Sequence, residues 1–136
     1  MSGEMSLGQL LSGLKPYLLP DTYVFCTLAD GSYGALSHAK PLASCMEEEG
    51  LTLVLPREAA DREQLPYEGT FRCIRLQVHS SLLAVGLTAA VSGLLAQHNI
   101  SANLIAAYHH DHVLVPAERA EESMKLLLLL QGGDGS

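Results

Sequence analysis

Apolar residues at Leu7, Leu10, Leu11 and Leu14 recur at helical spacing. Ser6 is a natural N-cap for this run, and Pro16 ends it. Pro20-Asp21 reads as a turn, and Tyr23 to Leu28 as a strand of β-branched, aromatic and cysteine residues. Ala29 to Lys40 is a loop, with turn chemistry in Asp30-Gly31-Ser32-Tyr33-Gly34. Pro41 to Glu47 reads as an edge-like strand with its proline at the start. A charged turn, Glu47-Glu48-Glu49-Gly50, leads into Leu51 to Leu55, which puts Leu51, Leu53 and Leu55 on one face. Pro56 sits where a helix starts, and Arg57 to Gln64 is short and helical.

After a link over Pro66 to Thr70 the alternation is clean from Phe71 to His79. Ile74, Leu76 and Val78 face one way, and Arg75, Gln77 and His79 the other. One wet face implies an antiparallel sheet with helices on its other side. Leu82 to His98 reads as the main helix, capped by Ser80 or Ser81. Its small residues Gly86, Ala89, Ala90 and Gly93 imply close approach to a sheet or a second helix, because glycine costs a helix interior about 1 kcal/mol against alanine. Asn99-Ile100 turns the chain into a strand, Ser101 to Tyr108. His109-His110-Asp111-His112 reads as a tight turn, followed by the short strand Val113-Leu114-Val115. Pro116 opens the last helix, with Glu118, Glu121 and Glu122 in its first turns. Leu126 to Leu130 is apolar all round, which implies cover on several sides, including by a second subunit.

The second half therefore reads strand, helix, strand, strand, helix. That is the ferredoxin-like order. The first half reads helix, three strands, short helix. No strict sequence repeat is visible, yet both halves fit one degenerate α+β unit. The expected division is residues 1–66, residues 67–130, and a disordered glycine-rich tail over residues 131–136.

Composition narrows the function. Hydrophobic residues make up 48% of the 136 positions, ample for a core, and charged residues only 17%, which implies apolar surface meeting a partner chain. A net charge of -7 without a basic stripe disfavours nucleic acid and anionic membranes. No apolar run reaches the ~18 residues of a membrane span, and Met1-Ser2-Gly3-Glu4 lacks the features of a signal peptide. Cys26, Cys45 and Cys73 are odd in number and widely spaced, so they read as reduced, buried thiols of a cytoplasmic protein.

Several stretches resemble the ACT-domain family, and more narrowly the small stand-alone bacterial proteins built from a tandem ACT pair. They are Val78-His79-Ser80-Ser81-Leu82, Ala84 to Ala90, Ile100-Ser101-Ala102-Asn103, Tyr108 to His112, and Gly50 to Pro56. The resemblance runs from about Leu7 to Leu130. It implies two ferredoxin-like (ACT-type) βαββαβ-related units with antiparallel sheets and helices on one face. It also implies frequent homodimers and binding of a small molecule, usually an amino acid, for regulation rather than catalysis. Carried over, the ligand corner is His79, Ser80, Ser81, Leu82 and Leu83, with Val85 and Gly86 in the first helical turn. Asn103 lies opposite, flanked by Leu104 and Ile105. The chain departs from the family's usual arrangement, because no catalytic or DNA-binding segment is visible in it. The expected reader of the ligand state is a separate partner.

The corner has independent physical sense. Free N–H groups at a helix start favour an anion such as an α-carboxylate, serine hydroxyls add donors, and Asn103 adds an amide. Ser81 capping its own helix, with Asn103 serving local backbone, is the structural alternative. His110 and His112 on a strand share a face and suit zinc, which makes a metal-binding protein or small enzyme centred on His110, Asp111 and His112 an alternative. A structural dimerisation module is another. No nucleophile elbow, phosphate loop or dinucleotide fingerprint is present, and Cys73 and His79 are too far apart on one strand face to form a nucleophile pair. No catalytic residue, metal ligand or cofactor is expected.

Overall fold

A computed structural model describes residues 7–77 and 86–132. They form helices α1 (Leu7–Ser12), α2 (Arg57–Arg62), α3 (Leu87–Gln97) and α4 (Ala120–Gln131). The strands are β1 (Tyr17–Leu28), β2 (Ala43–Glu47), β3 (Gly50–Pro56), β4 (Phe71–Gln77), β5 (Asn103–Ala106) and β6 (His110–Pro116). The chain divides into two compact units. A middle unit spans Asp21–Phe71, and a terminal unit joins the segment up to Pro20 with that from Arg72 onward. The architecture is α+β, built from ferredoxin-like units with antiparallel pairing.

In the terminal unit the strand order is β5, β6, β4 and then the opening residues of β1. β5 pairs antiparallel with β6, with Asn103 opposite Leu114 and Ala106 opposite Asp111. The core is the helix side of this sheet. Ile74 and Leu76 of β4 and Val113 and Val115 of β6 meet Val91 and Leu95 of α3 and Leu127 of α4, all essentially sealed from water. Each such aliphatic side chain contributes about 1.5–3 kcal/mol by leaving water. In the middle unit, β3 lies between β2 and the rest of β1. There Val24, Cys26, Leu51, Leu53 and Leu55 pack against Ala59 and Ala60 of α2.

The alternation of Leu51, Leu53 and Leu55 is observed, although Val54 on the opposite face is buried too. Pro56 is the N-cap of α2, and Pro116 that of a 3-10 turn, Ala117–Arg119, leading into α4, with φ of -54 and -52 that match the proline ring. Four sequence expectations are corrected. The first strand does not start at Tyr23, because β1 runs from Tyr17 straight through Pro20-Asp21. Pro20 is solvent-exposed at the junction of the two units, where an extended backbone can spare the missing N–H.

Gly86 does not lie in a helical turn. Its φ of 98 is left-handed, and it caps α3, which begins at Leu87. Gly93 lies inside α3, but a Cβ there would meet nothing within 4 Å, so close approach within the chain does not explain it. Cys45 is exposed, unlike Cys26 and Cys73, because β2 is an edge strand. Of the five-leucine run, Leu127 is buried within the single chain, and Leu128 and Leu129, 48% and 70% exposed, are the positions left for the second-subunit cover that the sequence implies.

A repeat hidden in the sequence is plain in the register. Shifting by 60 positions carries the pair Ala43 and Val54 onto Asn103 and Leu114. The same shift superposes Leu53-Val54-Leu55-Pro56 on Val113-Leu114-Val115-Pro116 and Ala60 on Ala120, with matching burial of the apolar residues. Leu-for-Val exchanges, and the different lengths of chain before β2 and β5, obscure it in one dimension.

Candidate functional site

The family-implied corner lies where β4 leads into α3. Its residues His79, Ser80, Ser81, Leu82, Leu83 and Val85 lie outside the described residues. Gly86 sits at the head of α3, and its carbonyl accepts the Ala90 N–H at 2.9 Å. With no side chain, Gly86 offers no cap of its own to the first N–H groups of α3. Such groups, at the positive end of the helix dipole, suit a carboxylate.

Asn103, Leu104 and Ile105 open β5 together, and strand geometry splits them between two faces. Leu104 packs on the core, whereas Asn103 is exposed and Ile105 is opposite His112. The site residues that the sequence put on β5 are thus contiguous, and of those three Leu104 is the one serving the core.

The histidine cluster differs from its expected form. The turn is only Tyr108-His109, closed by the Ala107 N–H donating to the His110 carbonyl at 3.0 Å. His110, Asp111 and His112 already belong to β6, and alternation separates them. His110 and His112 share the helix-free face with ring centroids 6.4 Å apart, while Asp111 projects to the helix side. A His-Asp-His triad around one ion therefore does not form, and no group of three metal-binding side chains occurs among the described residues.

Arg75 lies beside His110 on the same face, and its guanidinium stacks over the Tyr17 ring at 5.3 Å. Partial burial first, and then the positive charge of Arg75, hold the His110 pKa below its usual 6.5. Burial raises the Asp111 carboxyl above 3.8. Burial also pushes the Cys73 thiol to about 11, which leaves it protonated and a poor nucleophile.

Sequence reasoning missed one feature of the middle unit. An open groove of about 430 Å³ runs along Phe25, Thr27 and Thr52, walled by Tyr67 and Glu68. Tyr67 is held there by its hydroxyl, which donates to Asp61 Oδ1 at 2.7 Å. The segment Pro66 to Thr70 reads in sequence as a plain link. The only signal was an aromatic residue among its turn formers.

The two halves, with their shared hairpin register and helix-backed antiparallel strands, each match an ACT domain model, over residues 2–72 and 68–128. The chain belongs to the ACT-domain family. It is similar to a Vibrio cholerae protein of unknown function, described as a possible transport protein. The two share 43% identity over 96% of this chain and 99% of that one, with a TM-score of 0.83. An Agrobacterium tumefaciens protein shares the fold at 18% identity and a TM-score of 0.66, over 87% of this chain and 89% of that one. So does the ligand-free regulatory subunit of aspartate kinase from Thermus thermophilus, at 12% identity and a TM-score of 0.59, over 87% and 97%. No curated protein matches the sequence. ACT domains are regulatory modules that bind small molecules, and they are generally not catalytic. No helix among the described residues of this ACT protein is long and apolar enough to cross a membrane.

Proposed function

We propose that this protein is a non-catalytic sensor that binds a free amino acid as a cytoplasmic homodimer and passes the ligand state to a separate partner. The observation that carries this reading is the match of both halves to ACT domains. The proposed pocket is the corner of His79, Ser80, Ser81, Leu82, Leu83, Val85 and Gly86, with Asn103 opposite it and Leu104 and Ile105 beside Asn103. The start of α3 would receive the α-carboxylate, and the Asn103 amide the ammonium or carboxylate. Regulation would follow from differential affinity, since a ligand shifts an equilibrium only as far as it binds one state better.

A thermal-shift screen against the standard amino acids, on chelator-treated protein, tests this. A ligand that binds only the folded state stabilises it by about 2.7 kcal/mol at a hundredfold excess over Kd. One or a few amino acids should raise Tm, and Ser81→Ala with Asn103→Ala should abolish the rise. A rise that survives both changes would refute the corner. No rise with any amino acid would refute the ligand class.

A further inference from the structure

Apart from Asn103 and Ile105 of β5, the helix-free face of the terminal unit has no part in that reading. It is closed at Cys73 and Leu114, both fully buried, and opens toward Arg75, His110 and His112. From there a row of groups continues to the hairpin tip. The centroids of His112 and His110 are 6.4 Å apart, those of His110 and His109 6.5 Å, and those of His109 and Tyr108 5.0 Å. Tyr17 and Tyr108, at the two ends, are 53% and 77% exposed. The strand residues that alternation puts on this face of β4, β6 and β5 include no carboxylate, in a chain with 15 acidic and 8 basic residues.

Arg75 forms no ion pair among the described residues. Its guanidinium is held over Tyr17 instead. An arginine fixed by stacking keeps its planar fork available and loses little entropy on meeting a carboxylate. The same positive charge counts against a metal ion on the histidine pair.

We propose that this row binds an extended acidic segment of a partner protein, laid along β6 with carboxylates at alternate positions. Side chains on one face of an extended peptide recur every ~6.8 Å, which matches the histidine spacing. Arg75 pairs with one carboxylate, His110 donates to the next, His112, whose Nδ1 donates to the Ile105 carbonyl at 3.4 Å, lines the row beside it, and the tyrosines cover the backbone. A net charge of -7 repels a membrane or nucleic-acid surface as a whole, whereas a short peptide meets only the local patch.

The test is fluorescence anisotropy with a labelled peptide of alternating glutamate and serine, against the same peptide with glutamine. The glutamate peptide should bind, should weaken with added salt, and should lose roughly tenfold in affinity with Arg75→Ala and with His110→Ala/His112→Ala. Tyr17→Leu, which spares every charge, should weaken it less, and Arg75→Lys should fall between. Thermal unfolding of each variant separates lost binding from lost fold. Arg75→Ala should leave any amino-acid-induced Tm rise unchanged, so failure here and failure of the sensor reading are separate results. Equal binding of both peptides, or binding indifferent to Arg75→Ala, would overturn the proposal. Capture by phosphatidylserine vesicles without peptide binding would overturn it in favour of a membrane. Dissociation of a dimer by Arg75→Glu would overturn it in favour of a second copy of the chain.

Discussion

In the middle unit the turn Glu48-Glu49 joins β2 to β3, and in the terminal unit Tyr108-His109 joins β5 to β6 at the same register. The strands behind the turns are interchangeable, with Leu53, Val54 and Leu55 matched by Val113, Leu114 and Val115. The three positions that open the second strand are not. Gly50, Leu51 and Thr52 of the middle unit correspond to His110, Asp111 and His112 of the terminal unit. The connection before each hairpin differs as well. The middle unit has a loop with one short 3-10 turn, Ser37–Ala39, where the terminal unit has α3. Packing thus constrains the centre of each hairpin alike, while its open end is free to carry chemistry. In the terminal unit that end carries a basic and aromatic row. In the middle unit it is spent on closing the fold.

Gly50 offers the hardest test of that contrast. Its φ of 144 and the backbone around Leu28 leave no room for a side chain, since a Cβ would lie 2.5 Å from the Leu28 carbonyl oxygen. The neighbour is backbone and cannot swing aside. Gly50→Ala should therefore cost about 3 kcal/mol or more, read from the urea midpoint at unchanged slope. His110→Ala, at the matching position, should change stability by no more than about 0.5 kcal/mol, as for an ordinary surface site. Equal costs at the two positions would mean that both hairpin ends are structural.

A smaller effect of opposite sign is expected at Gly93. The middle unit has no counterpart of α3, so this glycine answers to the terminal unit alone. A Cβ there enters open space. Gly93→Ala should stabilise by about 1 kcal/mol through helix propensity, seen as a rise in Tm. A fall would show that a partner subunit packs against this flank, which would restore the close approach that the small residues of Ala84 to Gly93 imply in sequence.

These contrasts mark how far the sequence could be read. Period-two alternation located β3 and β4, a short apolar run located the Val113-Leu114-Val115 part of β6, and proline at helix starts located α2 and the 3-10 turn that leads into α4, because burial and ring geometry leave direct marks on residue type. The first half of β1 was hidden, since Pro20-Asp21 carries a turn signal that tertiary pairing overrides. Gly86 was misread because a left-handed cap and a helix-interior glycine look alike in one dimension. On the candidate site, Asn103 to Ile105 could be placed on a strand. The histidine motif could not be divided between two faces until its turn was known to end at His109. Arg75 was assigned a face, but its nearness to His110 depends on β4 lying beside β6, which no local pattern encodes.

The subtlest difference between the hairpins is at Leu51 and Asp111, where one register position holds a buried leucine and a buried carboxylate. Burial raises the Asp111 pKa above 3.8, with His112 partly opposing it. Folded Asp111 therefore holds its proton more firmly than the unfolded chain does. Below about pH 3.8 both states are protonated and the burial of this group has no charge cost. As pH rises, the unfolded chain ionises first, so the folded state binds more protons and this site's contribution to stability falls. The cost is complete once pH exceeds the folded value, and so at neutral pH. Asp111→Asn removes the charge with little change of shape. It should melt higher than the parent at pH 7, and the gap should close as pH falls through the folded pKa toward 3.8. Parallel melting curves at all pH values would assign the difference to amide packing and leave the carboxylate without a cost. A variant that melts lower at neutral pH would show that the charge is satisfied, and that Asp111 is needed by the hairpin end that carries the histidines.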